Sequence, residues 1–391
     1  MNKPKKNTGN PAKIRGLNRN AILAYVRQVH STSRVELVKS LVLAPATVTA
    51  VVAELLDDNL LLEAQLIQSP DKRRRGRPSR EIRLNPNAAF ALGLSLRVEH
   101  NIVFIDTSWS DYCNTVAFGP TLQCGQTAEF DEVAACALDA LQQLIALLPK
   151  KAKIIGLGVG IPGVVKHDEV LYAPNLPSII GKTLYQKIEQ DVSFPVYFEN
   201  DVNLLVVEEL EKRQELRMRN ISYIFVSQGV GAGTALNGEL WRASSWSGEI
   251  GQIDVPFGEH GHKRLEWLIG LDGYFAEKMQ EQGIAIDAVS ALTPETIESL
   301  PVQGILDSYT FYLFLAVQVL NGAFGLDTVI IGTSNPSILD HCMPKLLTLI
   351  ERSPLKVHVI HTAKGQNVAV KGATLLALKH SLASLHHRQI S

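Results

Sequence analysis

The sequence predicts an α/β protein in which a short, mostly helical N-terminal unit precedes a larger body of alternating strands and helices. The first observation is a charge split that the near-neutral total of −1 conceals. Residues 1–85 contain 16 Lys and Arg against 7 Asp and Glu, whereas residues 86–391 contain 22 against 32. The second observation is that apolar runs, glycine turns and helical periodicity alternate from Ala91 onward. A basic unit on an acidic body suggests that the first part binds nucleic acid and that the second has another task.

The composition is that of a folded protein with a sizeable core. Of the 391 residues 46% are hydrophobic and 20% charged, which excludes a disordered chain and a small disulfide-stapled protein. No apolar run reaches the roughly 18 residues of a membrane helix, and the N-terminus lacks the apolar segment of a secretory signal. Because the four cysteines are scattered without metal-ligand spacing, we expect a reducing, cytoplasmic setting.

Three helices are predicted in the basic unit. The first lies between Asn18 and His30, where Ile22, Leu23, Val26 and Val29 share one face. The second begins at Ser33-Arg34-Val35-Glu36, a capping-box pattern, and runs to about Ser40. The third begins at Pro45, ends at Asp57-Asp58-Asn59, and has a buried stripe of Val48, Val51, Val52, Leu55 and Leu56. The short link between the last two helices is typical of a helix-turn-helix whose third helix enters the DNA major groove.

The outward face of the third helix carries small residues. They contact thymine methyl groups and phosphates but cannot form the bidentate base contacts of Arg, Asn or Gln. The expected DNA contacts of the helices are Arg34, Pro45, Ala46, Thr47 and Thr49. The alternative is a three-helix unit that binds protein.

A basic tip follows the helices. Strand-like Leu60–Glu63 and Glu81–Leu84 flank Asp71–Arg80, so the tip is predicted to be the wing of a winged helix-turn-helix in residues 1–85. Its expected DNA contacts are Arg73, Arg74, Arg75, Gly76 and Arg77. Arg75-Gly76-Arg77-Pro78 resembles an AT-hook core, which lies in a narrow A·T minor groove. The alternative is a solvated arginine cluster that contacts phosphates only.

The body is predicted to form two consecutive α/β lobes. The expected strands are Ala91–Leu96, Asn101–Asp106, Ile154–Ile161, Pro195–Phe198, Ile221–Val226, Thr328–Ile331 and Val357–Ile360. The expected helices are Glu132–Leu148, Val202–Leu216, Leu306–Phe324 and Val370–Leu385.

Five motifs along the body carry a family resemblance. They are Gly160-Ile161-Pro162-Gly163, Ala173–Pro177, Glu199-Asn200-Asp201-Val202-Asn203, Gly229–Gly238 and Ser247–Gly251. In this order, and behind this head, they resemble the ROK family (repressors, open reading frames, kinases), in particular sugar-responsive repressors of the glucose/N-acetylglucosamine type. The resemblance implies an actin-like body of sugar-kinase type, with a first lobe at 86–200, a second at 201–369, and residues 370–391 packing back on the first.

The resemblance also implies the residues that bind an effector. Asn200 and Asp201 match sugar-hydroxyl contacts, and the aspartate is the general base in the kinases, so Asp201 is a vestigial base candidate. Glu249 and Asn175 match further sugar contacts, and Glu266 matches a glutamate of the zinc segment. Carboxylates and amides are suited to bind vicinal hydroxyls. The alternative for Asp201 is an ordinary helix cap.

Two departures from the family argue against enzyme activity. Where the kinases have an Asp-x-Gly-x-Thr phosphate loop, this chain has Leu94–Val98, with Ser95 and Arg97 near the motif positions. Thr333 stands where the kinases have the second glycine of a nucleotide-contacting pair. A second glycine-rich turn, Gly229–Thr234, persists.

The family's zinc site is also expected to be lost. Gln252 occupies the histidine position and could bind a sugar hydroxyl, and Gly258–Glu266 contains His260 and His262 but no cysteine. No metal and no other cofactor is therefore expected.

The sequence thus predicts a non-enzymatic repressor of carbohydrate-metabolism genes. Its expected partners are operator DNA, a sugar or sugar-phosphate effector between the lobes, and further copies of itself in a homodimer or homotetramer. One alternative is a ROK-type sugar kinase with an appended head. Another is a regulator controlled by a protein partner, such as a sugar-transport component.

Overall fold

The computed structural model describes residues 11–64, 80–99, 101–125, 129–181, 183–242, 246–259, 261–283, 293–299, 303–362 and 368–388. The predicted wing contacts Arg73, Arg74, Arg75, Gly76 and Arg77 lie outside these residues, as does His260.

The N-terminal unit consists of three helices and a two-stranded hairpin. Its elements are α1 (Pro11–Val29), α2 (Arg34–Leu41), α3 (Pro45–Asp57), β1 (Leu61–Ala64) and β2 (Glu81–Leu84). The strands are antiparallel with Leu61 opposite Leu84, and Thr32 adds a bridge to Ile82. The predicted helices and strands are therefore confirmed, and α1 begins earlier than expected.

Local chemistry sets the ends of these helices. The Ser33 hydroxyl caps α2 by accepting a hydrogen bond from the Glu36 amide at 3.3 Å, and Pro45 occupies the first turn of α3. Val48, Val51, Val52 and Leu55 of the predicted stripe of α3 are buried, whereas Leu56 is only partly buried. Val29 was predicted on the buried face of α1, but its side chain is 37% exposed. The reason is that α1 ends at Val29, and His30 then turns the chain with a φ of 63°.

The first lobe is built on a five-stranded sheet in the order β5-β4-β3-β6-β9. Strands β3, β6 and β9 are parallel, so their carboxyl ends meet at one edge. The elements are β3 (Phe90–Glu99), β4 (Ile102–Asp111), β5 (Val116–Gln123), α4 (Phe130–Ala146), β6 (Ile154–Ile161), β7 (Val164–Lys166), β8 (Glu169–Tyr172), α5 (Leu184–Asp191) and β9 (Val196–Asn200).

The second lobe repeats this topology in the sheet order β12-β11-β10-β15-β16. Each sheet joins an antiparallel meander to parallel strands, as expected for a two-lobed body. The elements are α6 (Asp201–Lys212), β10 (Ile221–Val226), β11 (Val230–Leu236), β12 (Glu239–Leu240), β13 (Asp254–Phe257), β14 (Gly261–Arg264), α7 (Leu265–Ile269), α8 (Tyr274–Glu281), α9 (Pro294–Ser299), α10 (Gln303–Phe324), β15 (Thr328–Thr333), α11 (Pro336–Arg352), β16 (His358–Thr362) and α12 (Val368–Arg388).

Two helices join the lobes. The last helix, α12, packs on β3, β6 and α6, and glycines allow the close approach. A Cβ at Gly158 would lie 2.0 Å from the Ala373 carbonyl oxygen, and one at Gly372 would lie 2.0 Å from that of Leu204. Leu375, Leu376 and Leu378 of this helix are buried.

Two expectations for the second lobe are wrong. The segment Gly229–Thr234 is not a turn throughout, because Val230 already begins strand β11. Gly233 is needed for packing, since its Cβ would lie 2.7 Å from the Val206 side chain and 2.9 Å from the Val202 carbonyl oxygen. The helix expected at Val202–Leu216 ends at Lys212 and is followed by a separate 3-10 turn.

The N-terminal unit shares a core with the first lobe. Its buried side chains pack in one cluster with Tyr112, Ile155, Ala377 and Leu378. The Arg27 guanidinium also donates to the Tyr112 carbonyl oxygen at 3.1 Å. In the described part of the chain, no helix is long and apolar enough to cross a membrane.

Candidate functional site

A cavity of about 170 Å³ lies between the two lobes, at the carboxyl ends of β3, β6 and β9. Open α/β sheets place ligand sites at such edges. Its polar lining includes Ser95, Arg97, Glu99, Asn175, Asn200, Asp201, Ser227, Gln228, Glu249, Glu266 and Ser334. Residues from distant parts of the chain thus meet in one cleft.

The cleft brings together five of the six residues predicted to bind an effector. These five are Asn175, Asn200, Asp201, Glu249 and Glu266. The sixth, Gln252, is not among the residues that line the cavity, and it forms a hydrogen bond with Glu266. Its Oε1 atom accepts from Arg264 Nη1 at 2.8 Å. Gln252 is therefore placed to position Glu266.

Asn200 and Asp201 stand at the start of α6. Asn200 is the helix cap, because its Oδ1 atom accepts from the Val202 and Asn203 amides at 2.9 and 3.0 Å. Its Nδ2 atom donates to the Gly163 carbonyl oxygen at 2.9 Å. Asp201 Oδ1 accepts from the Val202 amide at 2.8 Å. The cap considered for Asp201 is thus made mainly by Asn200, and the Asp201 carboxyl lines the cavity.

Glu266 and Asn175 flank the Gly229 turn. Glu266 Oε2 accepts from the Val230 amide at 3.2 Å. A Cβ built at Gly229 would lie 3.4 Å from Glu266 Oε2 and 3.6 Å from Asn175 Nδ2. A glycine here keeps both polar atoms accessible from the cleft.

The carboxyls of the cleft hold their protons more tightly than usual. Burial raises the pKa of Asp201 to about 7, and the nearby charge of Glu249 adds to the rise. Burial, with the charge of Glu266, raises the pKa of Glu249 to about 7 as well. Burial also raises the pKa of Glu266, although the Val230 amide opposes this. Near neutral pH Asp201 and Glu249 can therefore both donate and accept hydrogen bonds.

The opposite end of the cleft contains a salt-bridge cluster formed by Arg97, Glu99 and Asp106. Arg97 Nε donates to Asp106 Oδ2 at 2.8 Å, and its Nη1 lies 2.5 Å from Glu99 Oε2. Thr121 donates to Asp106 Oδ1 at 2.8 Å, and the guanidinium lies 4.6 Å from the Phe104 ring centre. Burial lowers the pKa of Arg97, but its two acidic partners raise it above the usual value. The motif position in the sequence points to Arg97, but no sequence pattern predicts either of its acidic partners.

Comparison with known proteins now identifies the body. The ROK family model matches residues 115–265. The chain carries a ROK family domain.

Two curated relatives of this chain are xylose repressors. That of Caldicellulosiruptor bescii is 24% identical over 253 residues, which cover 64% of this chain and 61% of the relative, so this chain spans less than two thirds of its length. That of Bacillus subtilis is 20% identical over 381 residues, 94% of this chain and 97% of the relative.

Solved structures share the ROK fold. A ROK family transcriptional regulator, described as a homologue of the Escherichia coli Mlc protein, has a TM-score of 0.73 at 19% identity and covers 97% of this chain and 99% of its own. A ROK family glucokinase from Streptomyces griseus has a TM-score of 0.59 at 18% identity, with 74% of this chain and 100% of its own covered. The first match includes the N-terminal unit, and the second has the extent of the body alone. The body therefore has the actin-like fold of ROK sugar kinases.

Two contacts between the lobes were not predicted from the sequence. Trp246 packs on Tyr172 with ring centres 4.9 Å apart, and its φ is 54°. Arg242 Nε lies 2.6 Å from Glu199 Oε2. These pairs join the first lobe to the second lobe, and only the folded topology brings them together.

The predicted DNA-contacting residues of the N-terminal helices differ in accessibility. Pro45, Ala46 and Thr49 are exposed at the start of α3, and Thr47 is partly exposed. Thr49 also donates to the Pro45 carbonyl oxygen at 2.9 Å. Arg34, by contrast, forms an ion pair with Glu63 of β1.

The residues present do not fit the zinc site of the ROK family. In the described ranges, no three His, Cys, Asp or Glu side chains lie close enough together to hold a metal ion. Gln252 contacts Glu266 and Arg264 instead, and His262 is exposed on β14.

Proposed function

We propose that this protein is a sugar-responsive transcriptional repressor. Residues 1–85 form a winged helix-turn-helix that binds operator DNA. The lobes 86–200, with 370–391, and 201–369 enclose an effector that is a sugar. The observation that carries the proposal is the cleft in which Asn175, Asp201, Glu249 and Glu266 converge. Similarity to a xylose repressor over 94% of the chain supports it.

The polar groups of the cleft suit a polyol. A sugar presents adjacent hydroxyls, each both donor and acceptor, and partly protonated carboxyls match that pattern. Asp201 uses one oxygen for the Val202 amide. Its second oxygen is available to a sugar hydroxyl, while Glu249 and Glu266 supply further acceptors. Asn200 contributes by holding the start of α6 in place.

The effector site is proposed to bind without catalysis. A kinase needs a phosphate cradle, but Arg97 and its acidic partners occupy the end of β3. At the end of β15, Thr333 accepts a hydrogen bond from the Asn335 amide at 3.1 Å where the kinases have glycine. Asp201 then remains as a sugar ligand that no longer acts as a base.

The head is proposed to contact DNA through α3 and the basic segment from Arg73 to Arg77. Small exposed side chains at the start of α3 allow close approach to the major groove. Paired heads would read two half-sites, so we propose a cytoplasmic homodimer or homotetramer.

A thermal-shift screen against free pentoses, hexoses and amino sugars tests the sensing role. A sugar that binds the folded state raises Tm by mass action. We expect at least one sugar to raise Tm, and Asp201→Asn to abolish the shift. The control is Asp254→Asn, an exposed residue of β13, which should keep it. An equal shift in both variants would remove Asp201 from the site.

The rival function is a sugar kinase, favoured by the retained Asp201 and by the fold shared with a glucokinase. An ATP-dependent phosphorylation assay with the same sugars separates the two. Turnover that Asp201→Asn abolishes would overturn the non-catalytic proposal. Absence of turnover with a sugar that shifts Tm supports it.

A further inference from the structure

The family resemblance singles out two places in the cleft lining where a phosphate group could be held, the end of β3, at Ser95–Glu99, and the Gly229 turn. The Gly229 turn adjoins the carboxyl-rich part of the cleft, since a Cβ at Gly229 would lie 3.4 Å from Glu266 Oε2. The occupants of these two places decide which charge a ligand can carry.

At the end of β3 the single cation is already neutralised. Arg97 is paired with Asp106 and Glu99, so this cluster carries one excess negative charge when ionised. Asp106 is nearly fully buried and is fixed by the Thr121 hydroxyl. Glu99 lines the cavity itself. A phosphate could reach the guanidinium only by displacing Glu99 or by lying beside its like charge.

The Gly229 turn is occupied as well. Its Val230 amide, the kind of N–H group that cradles a phosphate, donates to Glu266 Oε2 at 3.2 Å. At the other place, Ser95–Glu99, the chain is a continuous strand that pairs with β4, and Arg97 lies opposite Phe104. An extended, paired strand offers no concave nest of N–H groups.

The charge of the residues that line the cavity also disfavours a phosphate group. Among the described residues that line it, four are acidic, namely Glu99, Asp201, Glu249 and Glu266, and Arg97 is the one basic residue. A phosphate ester, which adds about −1.5 to −2 charges near pH 7, would enter a site of like sign.

We propose that the cleft admits an uncharged sugar and rejects its phosphate ester, and that the pairing of Arg97 with Glu99 and Asp106 determines this specificity. The inference rests on the proposed sensing function and names the ligand class for it. The two halves of the cleft then have separate tasks. The carboxyl-rich end binds hydroxyls, and the Arg97 end excludes phosphate.

Calorimetry with matched pairs on the full-length protein tests the inference. The probes are glucose and glucose 6-phosphate, N-acetylglucosamine and its 6-phosphate, and xylose and xylose 5-phosphate. We expect at least one free sugar to bind, and its ester to bind at least 100-fold more weakly. An ester that binds as tightly as its free sugar, or more tightly, would overturn the inference while leaving a sugar sensor. Binding by neither member of any pair would overturn the sensing function itself.

A charge variant tests the residue assignment. Glu99→Gln removes one negative charge but keeps the size of the side chain, so Asp106 stays paired with Arg97. We expect the affinity ratio of free sugar to ester to shrink at least tenfold. The matched control Glu169→Gln, on the exposed edge of β8, should leave the ratio unchanged. A ratio that Glu99→Gln does not move would remove the Arg97 cluster from the specificity mechanism.

Discussion

At the residue scale, the ionised Asp201 carboxylate lowers the free energy of unfolding of the ligand-free protein. Its pKa of about 7 lies far above the ordinary 3.8, because burial and Glu249 both disfavour the charge. Between roughly pH 4 and 7 the folded state therefore binds more protons than the unfolded state. Stability of the empty protein should fall as pH rises through this window, and the cost is complete above pH 7. A bound sugar would offset part of it through hydrogen bonds.

Asp201→Asn should stabilise the empty protein at pH 8. Since one pKa unit corresponds to about 1.4 kcal/mol, we expect a gain of more than about 1 kcal/mol. The gain should vanish near pH 3, below the ordinary pKa of an aspartate, where both states hold the proton. Urea unfolding at the two pH values measures it. Asp254→Asn, which changes an exposed carboxyl, is the control and should change little at either pH. A loss of stability in Asp201→Asn at pH 8 would contradict this electrostatic account.

Val42 is a second residue whose conformation carries a cost. It ends α2 with φ 52° and ψ 41°, in the left-handed region, and its side chain is 89% exposed. A β-branched residue is disfavoured there by roughly 1–2 kcal/mol, and glycine removes the clash.

Val42→Gly should therefore raise the free energy of unfolding by up to about 1 kcal/mol, after the entropy cost of glycine. Val35→Gly is the matched control, since Val35 is also exposed but helical. It should lower stability by about 0.5–1 kcal/mol. Thermal unfolding of both variants distinguishes the two conformations, and equal losses would show that Val42 is not strained.

At the scale of elements, the close contact between β6 and α12 attaches the first lobe to α12, the last helix of the described chain. A Cβ at Gly158 would meet the backbone of Ala373, which cannot rotate away as a side chain can. Gly158→Ala should cost about 2 kcal/mol or more through displacement of α12.

The control for Gly158→Ala is Gly304→Ala in α10, where a Cβ meets nothing within 4 Å. This change should stabilise the protein by up to about 1 kcal/mol, because alanine favours helix. Chemical unfolding compares the two. If both substitutions stabilise the protein, α12 is not in close contact with β6.

Elements with strong local signals were predictable from the sequence. The bounds predicted for β6 and β10 from their apolar runs agree with the observed ones, and α3 begins at Pro45 as predicted. The motif order brought Asp201, Glu249 and Glu266 to one cleft. By contrast, the partner of Arg97 depends on the register of β3 and β4, which pairs Ser95 with Asp106. No local pattern encodes this register, and the stacking of Trp246 on Tyr172 likewise requires the fold of both lobes.

At the scale of the whole molecule, α12 connects the effector cleft to the head. It packs on α6, whose first residue is Asp201, and its Ala377 and Leu378 lie in the core shared with the N-terminal unit. In the proposed mechanism, a sugar that draws the lobes together would shift this helix and with it the packing against the head. An effector acts on DNA binding only through unequal affinity for the two arrangements. Closure of the cleft is thus the proposed route from sugar to operator.

Glu249 allows the most direct test of this account. Fluorescence anisotropy of a duplex selected by the protein from a random pool gives its operator Kd with and without the free sugar found in the screen. The account predicts that the sugar weakens wild-type binding at least tenfold, and that Glu249→Gln binds the duplex normally but no longer responds. A wild-type response in Glu249→Gln, or no response in the wild-type protein to a sugar that it binds, would contradict the account.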